Sequence, residues 1–413
     1  MKKTAKFMLC AILILSASFF VYAQEKMTLT LEGSIQLALS QNPAHLASEE
    51  RVEGAKSMIK EASAGFFPLL SATGLRSLKE KVFSLEFPSL IPGEPPQTIE
   101  MDFTRDNQFS FSLSVPIYAG GRLVSGFKQA KYNHLSTEES MRQSEYLTVF
   151  NTKRAFFGVL IAREFVKVSE EAVTVAEKHV QNVKSLYEVG MASKFDLLRS
   201  EVQLANLKPQ QIRARNSLKI AELSLKTLLG LDLSQLLEIQ GELTYEPFDP
   251  DLEEALASAL SRRPEIQQLQ YQKMMAGEML KMSKAAKIPT FAVQGAYNVW
   301  ADKFSFKEED WQSYYSVNLA MSFPIFNGFM ADAQIAQSKS LIKELEFGAK
   351  GLEDMILFEV RQAILKLSEA RESLLSQEKN VEQAMESLRI AELNFSEGLA
   401  TTLDVSSVQS ALT

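Results

Sequence analysis

Three histidines, a single cysteine and 51 acidic residues are the groups in this 413-residue chain that can carry acid–base, nucleophilic or metal chemistry. His45, His134 and His179 are scattered with no ligand spacing around them, whereas a metal centre needs several nitrogen or sulfur donors converging on one point. Cys10 lies inside an N-terminal apolar run. Gly120-Gly121 lacks the remainder of a phosphate loop, and no serine stands in a Ser/His/Asp setting. The acids recur on the polar sides of helical stripes, the pattern of a solvated helix face and not of an acid/base pair. The chain reads as a protein with no catalytic residue, no metal and no cofactor. Its work must therefore lie in its architecture.

The first residues set the compartment. Lys2, Lys3 and Lys6 precede an apolar run from Phe7 to Val21, and Val21-Tyr22-Ala23 places small residues at −3 and −1 before Gln24. This is the layout of a signal peptide over 1–23, with a core too short for a spanning helix. No lipoprotein-type box precedes Cys10, so the exported chain, 24–413, carries no thiol and no disulfide. Loss of the three lysines moves the formal net charge from −7 to −10, an acidic balance that argues against nucleic acid as a partner. No later stretch approaches ~18 consecutive apolar residues, so any membrane passage must be made as a closed β-barrel.

Two internal repeats organise the rest, 27–237 and 245–413. Val115-Pro116-Ile117-Tyr118-Ala119-Gly120 recurs as Phe323-Pro324-Ile325-Phe326-Asn327-Gly328, an offset of 208. The same offset carries Tyr187-Glu188-Val189-Gly190 onto Phe395-Ser396-Glu397-Gly398, and Asp196 onto Asp404. Val173, Ala176, Val180, Val183 and Tyr187 map onto Val381, Ala384, Leu388, Ala391 and Phe395, spaced as in a coiled-coil seam. Upstream, Asn42-Pro43 matches Arg263-Pro264 and Gly74 matches Gly295 at an offset of 221, so the first repeat holds 13 extra residues between Gly74 and Val115.

Each repeat reads in the same order. A helix from near Thr28 or Asp251 breaks at the Pro43 or Pro264 step, because proline disfavours helix in its predecessor. A second helix runs to about Ala64 or Ala286, and two strands follow. A helix then runs from Gly120 to Gly190, or from Gly328 to Gly398, about 105 Å at 1.5 Å per residue. A tight turn leads into a further helix, Lys194 to about Leu229, which Pro209 is expected to kink.

The strands alternate cleanly. Phe109, Phe111, Leu113 and Val115 share one face against Gln108, Ser110, Ser112 and Ser114. Val317, Leu319, Met321 and Phe323 share another against Ser316, Asn318, Ala320 and Ser322. Strands of about 9–11 residues span a bilayer when tilted, and aromatic girdles mark such barrels. Phe66, Phe67 and Tyr118, with Trp300, Tyr314, Tyr315 and Phe326, supply candidates at the strand ends. Four strands cannot close a barrel alone, so subunits must share one.

This order of elements, with its paired strand-to-helix junctions and paired Gly-containing turns, resembles the TolC family of outer-membrane efflux proteins over essentially the whole mature chain. The fold class is then mainly α with a small β part: a long α-helical coiled-coil barrel plus four strands per chain in a trimeric transmembrane barrel of about 12 strands. The resemblance implies a homotrimer in outer-membrane lipid, extending into the periplasm as the exit duct of a tripartite efflux or type I secretion system. It implies a periplasmic adaptor (membrane fusion) protein and an inner-membrane pump, of resistance-nodulation-division or ABC type, as partners. The turns Gly190-Met191-Ala192-Ser193 and Gly398-Leu399-Ala400-Thr401 are where the adaptor would dock. The family's periplasmic aperture maps onto Phe395, Ala400, Asp404 and Ser407. Many relatives hold Tyr, Arg and two acids there, so only Asp404 retains the pattern. Asp404 has no basic residue after Arg389 to offset it, and in a trimer it would form a ring of mutually repelling carboxylates with raised apparent pKa values. The last helix, ending at Thr413, is shorter than its counterpart and reads as truncated. A periplasmic structural coiled-coil protein or an adaptor is the alternative; the first leaves the four girdled strands unaccounted for, and the second predicts one helical hairpin flanked by lipoyl-like and β-barrel segments where this chain shows two hairpins without them.

Overall fold

A computed structural model describes residues 27–78, 83–88, 91, 93, 95–101 and 106–412; the signal peptide expected over 1–23 lies outside them. The described chain begins with β1 (Met27–Leu29), α1 (Leu31–Gln41), α2 (Pro43–Ala64), β2 (Leu69–Arg76), β3 (Phe83–Phe87), β4 (Gln97–Met101) and β5 (Asn107–Tyr118). Then come α3 (Arg122–Glu188), α4 (Lys194–Leu229) and β6 (Leu237–Ile239). The remainder is α5 (Leu252–Arg262), α6 (Pro264–Ala285), β7 (Thr290–Ala301), β8 (Gln312–Ser322), α7 (Met330–Ser396) and α8 (Thr402–Leu412), with one 3₁₀ turn at Glu308–Asp310. The two long helices have 67 residues each.

The elements fall into two compact units. One comprises 50–141 and 258–357 and contains the strands β2 to β5, β7 and β8. Its main sheet has the order β2-β5-β7-β8, every pair antiparallel. The 13 extra residues of the first repeat belong to a connection with its own hairpin, β3 with β4, which sequence reasoning did not anticipate. At both junctions to the long helices the backbone enters the left-handed region twice: Gly120 and Gly121 before α3, Gly328 and Phe329 before α7. Phe329 holds φ +65° where the first repeat has glycine, at a cost of about 1–2 kcal/mol for an L residue. Its ring packs edge-on against Phe326 at 5.4 Å between centroids.

Among the described residues, the other unit comprises 27–49, 142–257 and 358–412. Its core joins Leu29 of β1, Ala38 of α1, Phe156, Val159 and Leu160 of α3, Leu225 and Leu229 of α4, and Ile239 of β6. Residues 27–29 form a parallel pair with 237–239, so the helix expected from near Thr28 instead begins at Leu31. Thr30 caps it, accepting from the Gly33 N–H. The reason is tertiary: Leu29 and Ile239 reach the core only from an extended backbone, and Arg163 of α3 clasps the β6 strap through the carbonyls of Ile239 and Gly241, at 3.0 and 2.7 Å. The helix α4 is continuous across Pro209. Along α3, Val173, Ala176 and Val183 are buried, while Val381 at the equivalent place on α7 is exposed.

The break between α1 and α2 carries more than a proline effect. Asn42 ends α1 with its own N–H on Ala38 O and caps α2, its Oδ1 accepting from the N–H groups of Ala44 and His45 at 2.9 and 3.0 Å. Its Nδ2 donates to Leu228 O at the end of α4, 2.7 Å away. Arg263, the equivalent in the second repeat, makes no such side-chain cap. Asn42→Ala is therefore expected to destabilise the protein by ~1–2 kcal/mol, whereas Ser40→Ala, on an exposed helix face, stays within about 0.5 kcal/mol. Urea midpoints at unchanged slope measure both.

Candidate functional site

The expected site residues fall in two places, the four-stranded sheet and the reversals of the long helices. Residues directly opposite in an antiparallel ladder share a face, so the register sorts the sheet without ambiguity. Phe111 faces Ala72 and Tyr297, Leu113 faces Leu70 and Gly295, and Val115 faces Val293. Gly295 and Val293 in turn face Val317 and Leu319. Phe109, Phe111, Leu113, Val115, Val317, Leu319 and Met321 therefore lie on one continuous apolar face; Phe323 lies one residue beyond β8. That face is open in the single chain: Val317, Leu319 and Met321 are 73, 71 and 63% exposed.

The opposite face is mostly hydroxyl and amide, with Leu69 and Leu75 on the β2 edge and Ala292, Ala296 and Ala320 between the polar groups. Ser71 Oγ meets Ser112 Oγ at 2.7 Å, and Ser110 donates to Asn298 Oδ1 at 2.6 Å. The strands β2, β5, β7 and β8 contain one charged residue, Arg76. Two aromatics expected in a girdle lie on this polar face: Trp300 is opposite Gln108 and Gln312, and Tyr314 is opposite Asn298. Parity is the cause, since each is an odd number of residues from the apolar set. Tyr118 goes the other way. Strict alternation would put it on the polar face, but a bulge between Pro116 and Tyr118 shifts the register and pairs it with Phe291, opposite Met321. Proline is tolerated there because the β2 partner has already ended at Leu69↔Ser114.

At the reversals, two different sequences make one backbone. Gly190 and Gly398 have φ of +77° and +74°, where glycine alone is unstrained. After α3, Gly190 N–H donates to Tyr187 O, and the N–H groups of Met191 and Ala192 both donate to Leu186 O. After α7, Gly398 donates to Phe395 O, and Leu399 and Ala400 both donate to Asn394 O. These close the orphan carbonyls of each long helix. The next helix starts with a reciprocal box: Ser193 with Asp196, and Thr401 with Asp404. Met191 and Leu399, 77 and 80% exposed, are left pointing outward.

The aperture candidates are adjacent but differently engaged. Asp404 Oδ2 accepts from Thr401 N–H at 2.8 Å and from Thr401 Oγ1 at 2.7 Å. The side-chain bond and then the backbone bond hold its carboxyl below the usual carboxylate range. The raised pKa expected for a ring would belong to an assembly, whereas this lowering belongs to the single chain. Ser407 Oγ donates back to Asp404 O, and Phe395 packs against the His179 ring at 6.1 Å. Burial lowers the His179 pKa, with Glu392 opposing it. Nothing local in the sequence ties His179 to Phe395; only folding brings the two rings together. Carboxylates were expected on solvated faces, yet Glu278 of α6 is 5% exposed, its Oε1 accepting from Lys281 at 2.7 Å. Among the described residues, no three His, Cys, Asp or Glu side chains gather as a metal site, and no helix is long and apolar enough to cross a membrane.

A two-faced sheet joined to two long helices that reverse through matching turns is the arrangement of a known group. The family model for outer membrane efflux proteins matches residues 34–231 and 255–413. The chain belongs to the outer membrane efflux protein family. It is an outer-membrane efflux channel protein, a passive conduit and not an enzyme. The outer membrane efflux protein BepC of Brucella suis is 22% identical over 410 residues, covering 99% of this chain and 85% of BepC. The outer membrane protein TolC of Escherichia coli is 26% identical over 191 residues, 46% of this chain and 38% of TolC. Among solved structures, the CmeC outer membrane channel of Campylobacter jejuni superimposes with a TM-score of 0.76 at 15% identity, over 92% of this chain and 80% of CmeC. VceC of Vibrio cholerae gives 0.74 at 16% identity, over 92% and 89%.

The Thr401–Asp404 box has a pH signature. Because the folded pKa of Asp404 is lowered, its stabilisation of α8 is present above the ordinary carboxylate pKa and is lost as pH falls through the folded value. Thr401→Val removes the hydroxyl and should raise the Asp404 pKa part of the way back, since the Thr401 N–H still donates. Carboxyl carbon NMR of labelled aspartate, followed through an acid titration, reads this directly.

Proposed function

We propose that three copies of this chain close one barrel of 12 strands, four from each, and conduct solute through it from a helical duct gated at the turn end. The single observation that carries this reading is the continuous, exposed apolar face backed by a face of mostly hydroxyl and amide groups without charge. An apolar face of this extent stays out of water only against lipid or protein. The strands alternate in direction from β2 to β8, so β8 of one copy meets β2 of the next antiparallel, and the up-and-down order continues without a break around a closed ring. In this assembly Phe109, Phe111, Leu113, Val115, Val317, Leu319, Met321 and Phe323 face outer-membrane lipid.

A periplasmic adaptor docks at Gly190–Ser193 and Gly398–Thr401, and an inner-membrane pump loads the duct. Both turns support this: each pairs an exposed Met or Leu with a small alanine on a backbone whose polar groups are already satisfied. Phe395, Ala400, Asp404 and Ser407 border the periplasmic aperture, where Asp404 of three copies would favour cations. A leader over 1–23 and two repeats, 27–237 and 245–413, complete the proposed organisation. The cargo is chosen by the pump, since the barrel face offers no charge to select it.

Arginine at Phe111 or Leu319 should cost ~2–4 kcal/mol near the bilayer midplane, read as loss of the heat-modifiable trimer. Arginine at Ser112 or Asn318 should assemble normally and change single-channel conductance. Equal tolerance on both faces would sink the barrel. For the turns, Ala192→Glu or Ala400→Glu leaves glycine and capping box intact, so export and adaptor crosslinking should fall while the trimer persists. Undiminished crosslinking would reduce these turns to helix reversals.

A further inference from the structure

The connection between β7 and β8, residues 302–311, is folded back onto the sheet, and the side it chooses is informative. It leaves the sheet at the end opposite the α6–β7 and β8–α7 junctions, because β7 starts next to α6 and β8 ends next to α7. At its close, Trp311 packs against Phe109 at a tilt of 46°, with ring centroids 5.7 Å apart. Phe109 belongs to the apolar face, opposite Gly74 and Val299. Gly74 leaves the room that ring needs, since a Cβ there would stand 3.1 Å from it. The loop thus lies against the apolar side of the sheet and not across the polar side, where Trp300 and Tyr314 pair at 5.7 Å.

Its tip is built from aromatics. Phe304 packs edge-on to both Trp311 and Phe306, at 6.2 and 5.3 Å. Phe306 is 96% exposed and Phe304 53%. Trp311 Nε1 donates to Ser305 O at 2.9 Å, so the indole's one polar group is satisfied inside the loop and the ring can enter an apolar medium. Lys303 and Lys307 flank the two phenylalanines, and Asp302, Glu308, Glu309 and Asp310 lie just outside them. A water-exposed loop gains nothing from two bare phenylalanines. A loop at a bilayer surface does, because aromatic rings favour the interface while flanking charges stay in the headgroup layer.

We propose that this connection is a membrane anchor: Phe304 and Phe306 insert among lipid headgroups beside the barrel wall, with Trp311 as the hinge that ties them to the lipid-facing side of the sheet. The inference rests on the barrel reading above and adds a second contact with lipid, fixing how deep and at what tilt the rim of the barrel sits. It also places this loop outside the pore, so it does not act as a lid.

Tryptophan fluorescence tests it, since the chain has two tryptophans. Trp300→Phe leaves Trp311 as the reporter in full chains reconstituted into phosphatidylcholine vesicles. Trp311 should emit to the blue, resist acrylamide, and lose more emission to bromine near the headgroup than to bromine near the chain end. Phe304→Ser with Phe306→Ser should shift that emission to the red and restore acrylamide quenching. Leu319→Trp, in a chain with Trp300→Phe and Trp311→Phe, reports the barrel wall separately. If Leu319→Trp is quenched by lipid bromine and Trp311 only by acrylamide, the anchor is wrong and the barrel stands. If neither responds to lipid, the barrel itself falls and the anchor with it. Should Trp300→Phe fail to assemble, a nitroxide on Phe306→Cys in a chain with both tryptophans decides the matter. Collisions with oxygen exceeding those with a water-soluble nickel chelate support the anchor, and the reverse overturns it.

Discussion

Main-chain N–H and C=O groups have no partner in hydrocarbon except each other, and leaving one unpaired costs several kcal/mol. Four strands in the order β2-β5-β7-β8 satisfy the inner ladders and leave two edges open. In the proposed barrel further copies close those edges, and the even number of strands per copy keeps every neighbour antiparallel. The apolar face must be uninterrupted from edge to edge, and the register delivers this through Leu70, Leu113, Gly295 and Val317 in one row. The one bulge sits where β5 has outrun β2, so it costs a single ladder and turns Tyr118 to the apolar side.

The long helices pose the converse problem. A 67-residue helix satisfies itself along its length and leaves its ends exposed. Both reversals solve this with a left-handed glycine that returns two N–H groups to one carbonyl, followed by a hydroxyl–carboxylate box on the next helix. Because these turns need nothing from outside, their exposed Met191 and Leu399 are free for a partner. Asp404 is then a structural group before it is anything else, and any role at an aperture must be exercised by a carboxylate already held by Thr401.

The halves of the chain share element order but not local chemistry. Asn42 secures three elements where Arg263 caps none with its side chain. Phe329 bears a conformation that Gly121 adopts without strain. The first strand connection carries an additional hairpin, and the second carries an aromatic loop packed on the sheet.

Much of this was legible in residues alone, because the signals were local. The 3-4 spacing and the bounding glycines placed both long helices to within two residues, and alternation of Phe109–Val115 and Val317–Phe323 marked the faces of the wall. Proline steps at Pro43 and Pro264 located the breaks correctly. What sequence could not supply depended on long-range pairing. Residues 27–29 became a strand because Ile239, more than two hundred positions away, offers a parallel partner and a shared core. Trp300 and Tyr314 lie on the polar face because register, not proximity to a strand end, decides where a side chain points. Glu278 is buried and hydrogen-bonded to Ser125 of α3, more than 150 positions away, and His179 met Phe395 only through helix packing. Local periodicity determined which elements form and which side of each is apolar. The tertiary structure alone decided which sides meet, since contacts between residues far apart in the chain leave no mark on its local pattern.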